Sequence, residues 1–107
     1  MQITITARHG AITDELRARA RTVLERLQRI APRPHDGRVL FVADHGRPTA
    51  EVRLRLARGT VLAGTARGAD LRTALDLAAA KIRRQLDKLP ARRRGAATRR
   101  GRTRGPR

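Results

Sequence analysis

Histidines next to carboxylates are the residues of this 107-residue chain that come nearest to a catalytic pattern. His35 precedes Asp36, and Asp44 precedes His45, so each pair could in principle move a proton between a base and an acid. Both pairs lie in predicted loops or strand ends, and neighbours in a loop are not held in the geometry that catalysis needs. The chain has no cysteine, and its histidine spacing matches no metal site. We therefore predict no enzyme, no metal and no cofactor.

A small nuclease and a release-factor-like hydrolase are the enzyme alternatives. Residues 64–68, GTARG, lack the Lys-Ser/Thr end of a phosphate-binding loop. No Gly-Gly-Gln tripeptide occurs, which argues against the hydrolase. For the nuclease, replacing His9, His35 or His45 singly should remove no activity, because we expect none.

Positive charge dominates the chain, with 26 Lys and Arg residues against 9 Asp and Glu and a formal net charge of +17. Such an excess indicates a polyanionic partner, and nucleic acid is the first candidate. Phe41 is the single aromatic residue, so stacking of bases on exposed rings is not expected. Binding would then depend on phosphate contacts and on shape. No apolar run has the length of a signal peptide or a transmembrane helix, which indicates a cytoplasmic protein with no membrane partner.

The charge divides the chain at Pro90. Residues 90–107, PARRRGAATRRGRTRGPR, hold eight arginines and no acid, and they show no apolar periodicity. A segment of this composition cannot bury enough apolar surface to offset the entropy of its chain. We predict a folded domain over residues 1–89 and a disordered Arg-rich tail over residues 90–107, with RNA contacts from Arg92, Arg93 and Arg94.

The first 89 residues alternate between strand and helix patterns. QITITA alternates apolar and polar residues as a half-buried strand does, and three further strands are predicted in RVLFVAD, AEVRLRLAR and TVLAGTA. Thr13 and Asp70 are placed to cap two amphipathic helices, and PRPHDG is predicted to be the loop after the first helix. The order β-α-β-β-β-α predicts an α/β (α+β) fold, a two-layer sandwich with a four-stranded sheet and two helices on one face.

The predicted second helix, within DLRTALDLAAAKIRRQLDKL at residues 70–89, carries its charges on two different flanks. On one flank, Arg72 and Asp76 are four residues apart, as are Arg83 and Asp87, and such pairs of opposite sign balance each other. The other flank carries three cations without an acid: Lys81, Arg84 and Lys88. A row of like charges costs about a few tenths of a kcal/mol per neighbour, which favours a polyanion as its partner. Arg84→Glu is therefore predicted to weaken binding more than Arg83→Glu.

The first helix shows a weaker version of the same asymmetry. One of its flanks carries three arginines: Arg19, Arg26 and Arg29. If the two helices pack side by side on the sheet, their basic flanks could meet in one ridge. The predicted RNA contacts are Arg26, Lys81, Arg84 and Lys88, with Arg19 and Arg29 extending the surface.

Both helical stretches resemble those of the ribosome hibernation-promoting factor family, also called ribosome-associated inhibitor A or sigma-54 modulation proteins. The similarity covers about residues 1–89 and includes the order β-α-β-β-β-α. Ile12, Thr13 and Leu16 match the family's ITxAL start of the first helix. The second-helix pattern DMYAAIDxxxDKLxxQLxK is matched at Asp70, Ala74, Asp76, Lys81, Gln85, Leu86 and Lys88. Arg72 and Ala80 depart from this pattern, since the family has Tyr and Asp there.

This resemblance implies a non-enzymatic factor that binds the small ribosomal subunit. Members of the family occupy the tRNA and mRNA channel between its head and body, contact 16S ribosomal RNA through basic residues of both helices, inhibit translation and preserve idle ribosomes under stress. Val23 stands where a first-helix lysine is common, which leaves Arg26 as the matching basic position. Long members add a C-terminal domain that pairs ribosomes, and the Arg-rich tail in its place suggests a short form or a truncated long form. The resemblance also implies a protein that is monomeric off the ribosome and has no small-molecule substrate.

A general double-stranded RNA- or DNA-binding module without a ribosomal role is the alternative, because it would use the same basic surface. Such a module should bind free duplexes and ribosomes with comparable affinity at physiological salt. Inhibition of translation near one protein per ribosome would favour the ribosomal factor.

Overall fold

Six main elements follow one another in the predicted order. The computed structural model describes residues 1–44 and 46–89. The elements are β1 (Gln2–Arg8), α1 (Asp14–Ile30), β2 (Pro34–Asp44), β3 (Arg47–Leu56), β4 (Val61–Arg67) and α2 (Leu71–Asp87). The order β-α-β-β-β-α and the fold class are confirmed. The Arg-rich tail, with Arg92, Arg93 and Arg94, lies outside the described residues, so the domain boundary and the tail contacts stay predictions.

The four strands lie side by side in chain order. β1 pairs in parallel with β2, and α1 is the crossover that a parallel pair requires. β2 and β3 form an antiparallel hairpin, as do β3 and β4. Because side chains alternate along each strand, one sheet face is apolar and takes both helices, while the opposite face presents charged and hydroxyl side chains to solvent. The predicted two-layer sandwich, with a four-stranded sheet and both helices on one face, is therefore confirmed.

The core lies between the sheet and the two helices. Its largest fully buried side chains are Phe41, Leu24, Leu27, Leu54, Leu75, Ile82, Val39 and Val52. A glycine lets the layers approach closely: a Cβ added to Gly64 of β4 would lie 2.7 Å from the Ala78 carbonyl oxygen of α2. Glycine at this position therefore sets the distance between strand and helix. No helix within the described ranges is long and apolar enough to cross a membrane.

Both helices begin with the caps that the sequence predicts. Thr13 Oγ1 accepts a hydrogen bond from the Leu16 backbone N–H at 3.0 Å, and Asp70 Oδ1 accepts one from the Thr73 N–H at 2.7 Å. These bonds satisfy N–H groups that have no partner within the first helical turn. The hydrogen bond from Thr73 also lowers the pKa of Asp70 below its usual value, because it favours the charged carboxylate.

Strand β2 starts earlier than predicted. The loop predicted over PRPHDG, residues 32–37, is wrong in its second part, since β2 begins at Pro34. Proline is tolerated as the first residue of a strand, and the pairing register shifts between Pro34 and Asp36. β3 likewise begins at Arg47, three residues before the predicted strand AEVRLRLAR. The hairpin is thus longer than predicted, and Asp36 becomes a strand residue opposite Arg55.

Helical side chains cover parts of both outer edges of the sheet. At the β1 edge, Arg17 Nη1 of α1 donates a hydrogen bond to the Ile5 carbonyl oxygen at 3.3 Å. At the β4 edge, Gln85 Nε2 of α2 donates to the Ala63 carbonyl oxygen at 2.6 Å, and Gln85 Oε1 accepts from the Ala63 N–H at 3.2 Å. Unpaired backbone groups at a strand edge are templates for association with another chain, and these contacts occupy some of them.

Candidate nucleic-acid interface

A groove of about 510 Å³ lies between the two helices. Its charged lining residues are Glu15, Arg19, Arg26, Asp76 and Arg83. The remaining lining residues are small or apolar, among them Thr22 and Ala79. The groove therefore brings charged groups of α1 and α2 together on a narrow surface, with cations in excess.

An ion pair joins the two helices at this groove. Arg19 Nε lies 3.2 Å from Asp76 Oδ1, and Arg19 Nη2 lies 2.8 Å from Asp76 Oδ2, so the guanidinium group binds both carboxylate oxygens. The hydrogen bonding to Asp76 raises the pKa of Arg19; the Asp76 charge adds to this effect and burial opposes it. The prediction that Asp76 balances Arg72 within α2 is wrong, because Arg19 of α1 binds the carboxylate instead. Arg19 stays a predicted RNA contact, but its charge is already matched.

The basic flank of α2 faces away from α1. Lys81 Nζ donates a hydrogen bond to the Thr65 carbonyl oxygen of β4 at 2.6 Å, which places this flank at the outer edge of the sheet. Arg84 is exposed, two residues from buried Ile82 and from buried Leu86, and so lies on the solvent side of the helix. The prediction that the basic flanks of the two helices meet in one ridge is therefore wrong. Packing of the apolar stripe fixes the rotation of α2, and the sequence of one helix does not orient it relative to the other.

Arg83 lies on the side of α2 that faces α1. The prediction had placed the other flank of α2, with Lys81, Arg84 and Lys88, on that side. Arg26 of α1 and Arg83 of α2 line the same groove, and neither forms an ion pair with a described residue. The predicted pair between Arg83 and Asp87 is not among the ion pairs of the described residues. One signal could have found this arrangement: Ala79 stands one helical turn before Arg83, and a small residue on a flank marks the side where another helix can approach closely.

Of the predicted RNA contacts within the described residues, four are exposed and have charged groups with neither an ion pair nor a hydrogen bond to a described residue: Arg26, Arg29, Arg84 and Lys88. We refer to these four as the helical cations. Arg29 lies in the last turn of α1, and Lys88 is the C-cap of α2, where the negative end of the helix dipole favours a cation. Their charged groups are thus free of protein carboxylates within the described part of the chain, and the arrangement suits binding of an external anion.

The histidine–aspartate pairs show no catalytic arrangement in the described residues. Asp36 accepts a hydrogen bond from Arg55 Nε at 2.7 Å on the solvated sheet face, so its carboxylate is held by a cation. His9 follows β1 with a φ of 60°. The side chain of Asp44 and all of His45 lie outside what the structure describes. Within the same limits, no three His, Asp or Glu side chains gather as a metal site would require.

Comparison with known proteins agrees with the resemblance found in the two helices. The chain is similar to a ribosomal subunit interface protein from Coxiella burnetii, with a TM-score of 0.70, 23% identity, and coverage of 82% of this chain and 96% of that one. It is also similar to the N-terminal domain of Protein Y from Thermus thermophilus, with a TM-score of 0.70, 27% identity, and coverage of 82% and 98%. No curated protein matches the chain. The family model described as "Sigma 54 modulation protein / S30EA ribosomal protein" matches residues 3–94, and the protein therefore belongs to this family.

Proposed function

We propose that this protein is a non-enzymatic factor that binds the small ribosomal subunit through its helical layer and inhibits translation. Family membership supports a ribosomal role, and the neighbour from Coxiella burnetii is described as a ribosomal subunit interface protein. The observation that carries the proposal is the set of helical cations, which are exposed and have no ion pair within the described ranges. Ribosomal RNA supplies the phosphate groups that such cations bind.

Phosphate contacts, and not base stacking, would provide the affinity. Phe41 is the single Phe, Tyr or Trp of the chain and is fully buried, so no benzene or indole ring is available to stack on a base. Arginine presents a planar fork of N–H donors that matches two phosphate oxygens, and most of the helical cations are arginines. Contacts of this kind position a protein on RNA without reading its bases, so recognition would depend on the shape of the RNA surface.

The cations of the helical layer would meet RNA in different ways. Arg84 and Lys88 lie on the side of α2 that faces away from α1, where they could follow a phosphate backbone. Arg26 shares the groove with Arg83, and a phosphate group held by both would receive two guanidinium forks. Lys81 donates to a neutral carbonyl oxygen and has no carboxylate partner among the described residues, so it would add to the positive field from the sheet edge.

We place the contact on 16S ribosomal RNA in the channel for tRNA and mRNA between the head and body of the small subunit. A protein bound there excludes tRNA and mRNA, which accounts for inhibition without a chemical step. Arg92, Arg93 and Arg94 of the tail would add affinity that does not depend on RNA shape. The protein would act in the cytoplasm and be monomeric off the ribosome.

Charge reversal on the α2 surface tests the proposal. In the double variant Arg84→Glu/Lys88→Glu, we expect binding to 30S subunits at physiological salt to weaken by roughly tenfold or more, since two phosphate contacts and their released counterions are lost. The matched control is Arg21→Glu/Arg72→Glu, which changes the charge equally at two exposed positions, one on each helix. Co-sedimentation with 30S subunits and inhibition of cell-free translation measure the effect.

Equal losses in the two double variants would mean that total charge governs binding, which contradicts the assignment of the surface. Comparable affinity of the unaltered protein for free RNA duplexes and for 30S subunits would favour the general nucleic-acid-binding module instead. Half-maximal inhibition near one protein per ribosome is the result expected of the ribosomal factor.

A further inference from the structure

The sheet face opposite the helices carries a second concentration of positive charge. Its cations include Arg8, Arg38, Arg53, Arg55 and Arg67, and the acids with described side chains on this face are Asp36 and Glu51. These residues alternate with the inward-facing residues of the four strands, so their side chains leave the sheet on the same side. We call this solvated surface the open face.

Two arginines meet at the centre of the open face. Arg38 of β2 lies directly opposite Arg53 of β3, and both are exposed. Side chains directly opposite on neighbouring strands have their Cβ atoms about 4.5–5.5 Å apart, and like charges in such a pair are destabilising. The same row continues with Thr4 on β1 and Ala63 on β4. Both neighbours are too short to cover the two guanidinium groups, which stay open to solvent.

The described acids of the open face match only one arginine of this pair. Asp36 is held by Arg55, whose Nε donates to Oδ2 at 2.7 Å. Glu51 forms a loose ion pair with Arg53, with 3.6 Å between Arg53 Nε and Glu51 Oε2, and 53% of the Arg53 side chain remains exposed. Arg38 forms no ion pair with any described residue. The sheet therefore holds two like charges together at a place where a bound anion would relieve their repulsion.

We infer that the open face is a second RNA-binding surface, which takes the sugar-phosphate backbone of an RNA segment across Arg38 and Arg53. The inference rests on the proposed function, since it gives a ribosome-binding protein a second contact with RNA. Arginine forks bind phosphate oxygens in pairs. Threonine hydroxyl groups, present around the pair at Thr4, Thr6 and Thr65, are common partners of phosphate groups.

Other occupants fit the open face less well. A second copy of the chain, or its Arg-rich tail, would bring positive charge against positive charge. An acidic protein would match the charge, but protein–protein interfaces are anchored at their centre by aromatic and large apolar residues. The open face has no Phe, Tyr or Trp; Leu40 and Val42 are half-buried between their neighbours, and Val61, at the edge strand beside Arg55, is its one exposed large apolar side chain among the described residues. A polar, positively charged surface of this kind is typical of nucleic-acid interfaces.

Contacts on both layers would change how the protein sits on its partner. The helical cations and the open face lie on opposite sides of the sandwich, so one flat RNA surface cannot reach both. The protein would then lie between two RNA elements and connect them.

Neutralising the central pair tests this inference. The variant Arg38→Gln/Arg53→Gln is compared with Arg21→Gln/Arg72→Gln, which removes the same charge from exposed helical positions. Affinity is measured against salt concentration, with 30S subunits and with protein-free 16S ribosomal RNA as probes. We expect the log–log slope of the open-face variant to shrink by about 1.4–1.8 on both probes, because two phosphate contacts are lost. The control variant should keep the slope of the unaltered protein.

Two further measurements support the comparison. Circular dichroism should show that the open-face variant is folded, because a like-charge pair is removed. The single variant Arg38→Gln should give about half the change in slope.

Three results would overturn the inference. The first is an unchanged slope in the open-face variant while the unaltered protein binds 30S subunits, which leaves the proposed function intact. The second is an equal change in the control, which assigns the effect to total charge. The third is a change on 30S subunits but not on protein-free RNA, which indicates an acidic ribosomal protein as the partner. If the unaltered protein does not bind 30S subunits but the slope on free RNA shrinks as expected, the proposed function fails and the open-face assignment stands.

Discussion

By pairing with Arg19, Asp76 determines which cations between the two helices remain available to a phosphate group. Its carboxylate is bound by Arg19, whereas Arg26 and Arg83 in the same groove form no ion pair with a described residue. The Arg19 and Asp76 side chains are 38% and 44% exposed, which limits such a pair to about 0.5–1 kcal/mol. An RNA phosphate in the groove could therefore compete with Asp76 for Arg19.

Single side chains also show where prediction from sequence reaches its limit. Arg84 and Lys88 stand apart from acids on a helical wheel, and they do remain without ion pairs in the described structure. Arg83 was not predictable in the same way, because its neighbours depend on how one helix is rotated against the other. The pairing of Arg38 with Arg53 likewise depends on strand register, which the alternation of each strand alone does not define.

The variant Asp70→Asn should reveal that Asp70, at the start of α2, makes a pH-dependent contribution to the stability of the folded protein. The Thr73 N–H bond lowers the pKa of Asp70 in the folded protein, so the charged carboxylate stabilises the folded state at pH values above the pKa of the unfolded chain. This stabilisation is lost as the pH falls through the lowered pKa of the folded state. Asparagine keeps the capping oxygen without the charge. Thermal unfolding should show the unaltered protein as more stable at about pH 6, and this difference should shrink as the pH falls below the ordinary Asp pKa of about 3.9. A difference that persists unchanged at that low pH would contradict this account.

At the scale of elements, side chains of the two helices also cover parts of the exposed sheet edges. Gln85 offers one donor and one acceptor to Ala63 of β4, and Lys81 bonds the Thr65 carbonyl oxygen two residues further on. Arg17 of α1 makes a comparable contact with β1. Exposed strand edges are managed in proteins by charged side chains and by covering elements, and α2 supplies both at β4.

Gln85→Ala should weaken this protection. It leaves both backbone groups of Ala63 without their side-chain partner, at a cost of about 1 kcal/mol in the free energy of unfolding. It should also increase concentration-dependent association through the β4 edge, measurable by analytical ultracentrifugation. Gln28→Ala in α1 is the control, since Gln28 makes no hydrogen bond to a strand within the described residues. Equal association of the two variants would show that the β4 edge is not the site.

The order of the elements and both helix starts were predictable because they rest on local signals. Apolar periodicity distinguishes strands from helices, and Thr13 and Asp70 act as caps within three residues of their partners. The start of β2 was not predictable from such signals. Proline and glycine in PRPHDG indicate a turn, yet pairing with β3 extends the strand back to Pro34. Long-range pairing overrides the local preference there.

The molecule as a whole presents positive charge on both faces of a two-layer sandwich. The helical cations and the Arg38–Arg53 pair lie on opposite sides of the sheet and share no partner, so their effects on RNA binding should add. In the variant Arg38→Gln/Arg53→Gln/Arg84→Gln/Lys88→Gln, the loss in binding free energy should equal the sum of the losses in Arg38→Gln/Arg53→Gln and in Arg84→Gln/Lys88→Gln within about 0.5 kcal/mol. Titration against 30S subunits measures all three. A larger coupling would mean that one RNA segment contacts both faces.

The parallel pairing of β1 with β2 also determines how the chain can assemble during its own synthesis. β1 and α1 are made first, but the strand that pairs with β1 begins only at Pro34. Until β2 emerges, the nascent segment has no sheet against which to bury its apolar side chains. β2, β3 and β4 are joined by short turns and followed directly by α2, so they find partners close by along the chain. We therefore expect β1 and α1, although they are synthesised before the rest of the sheet, to be the last elements of the domain to fold.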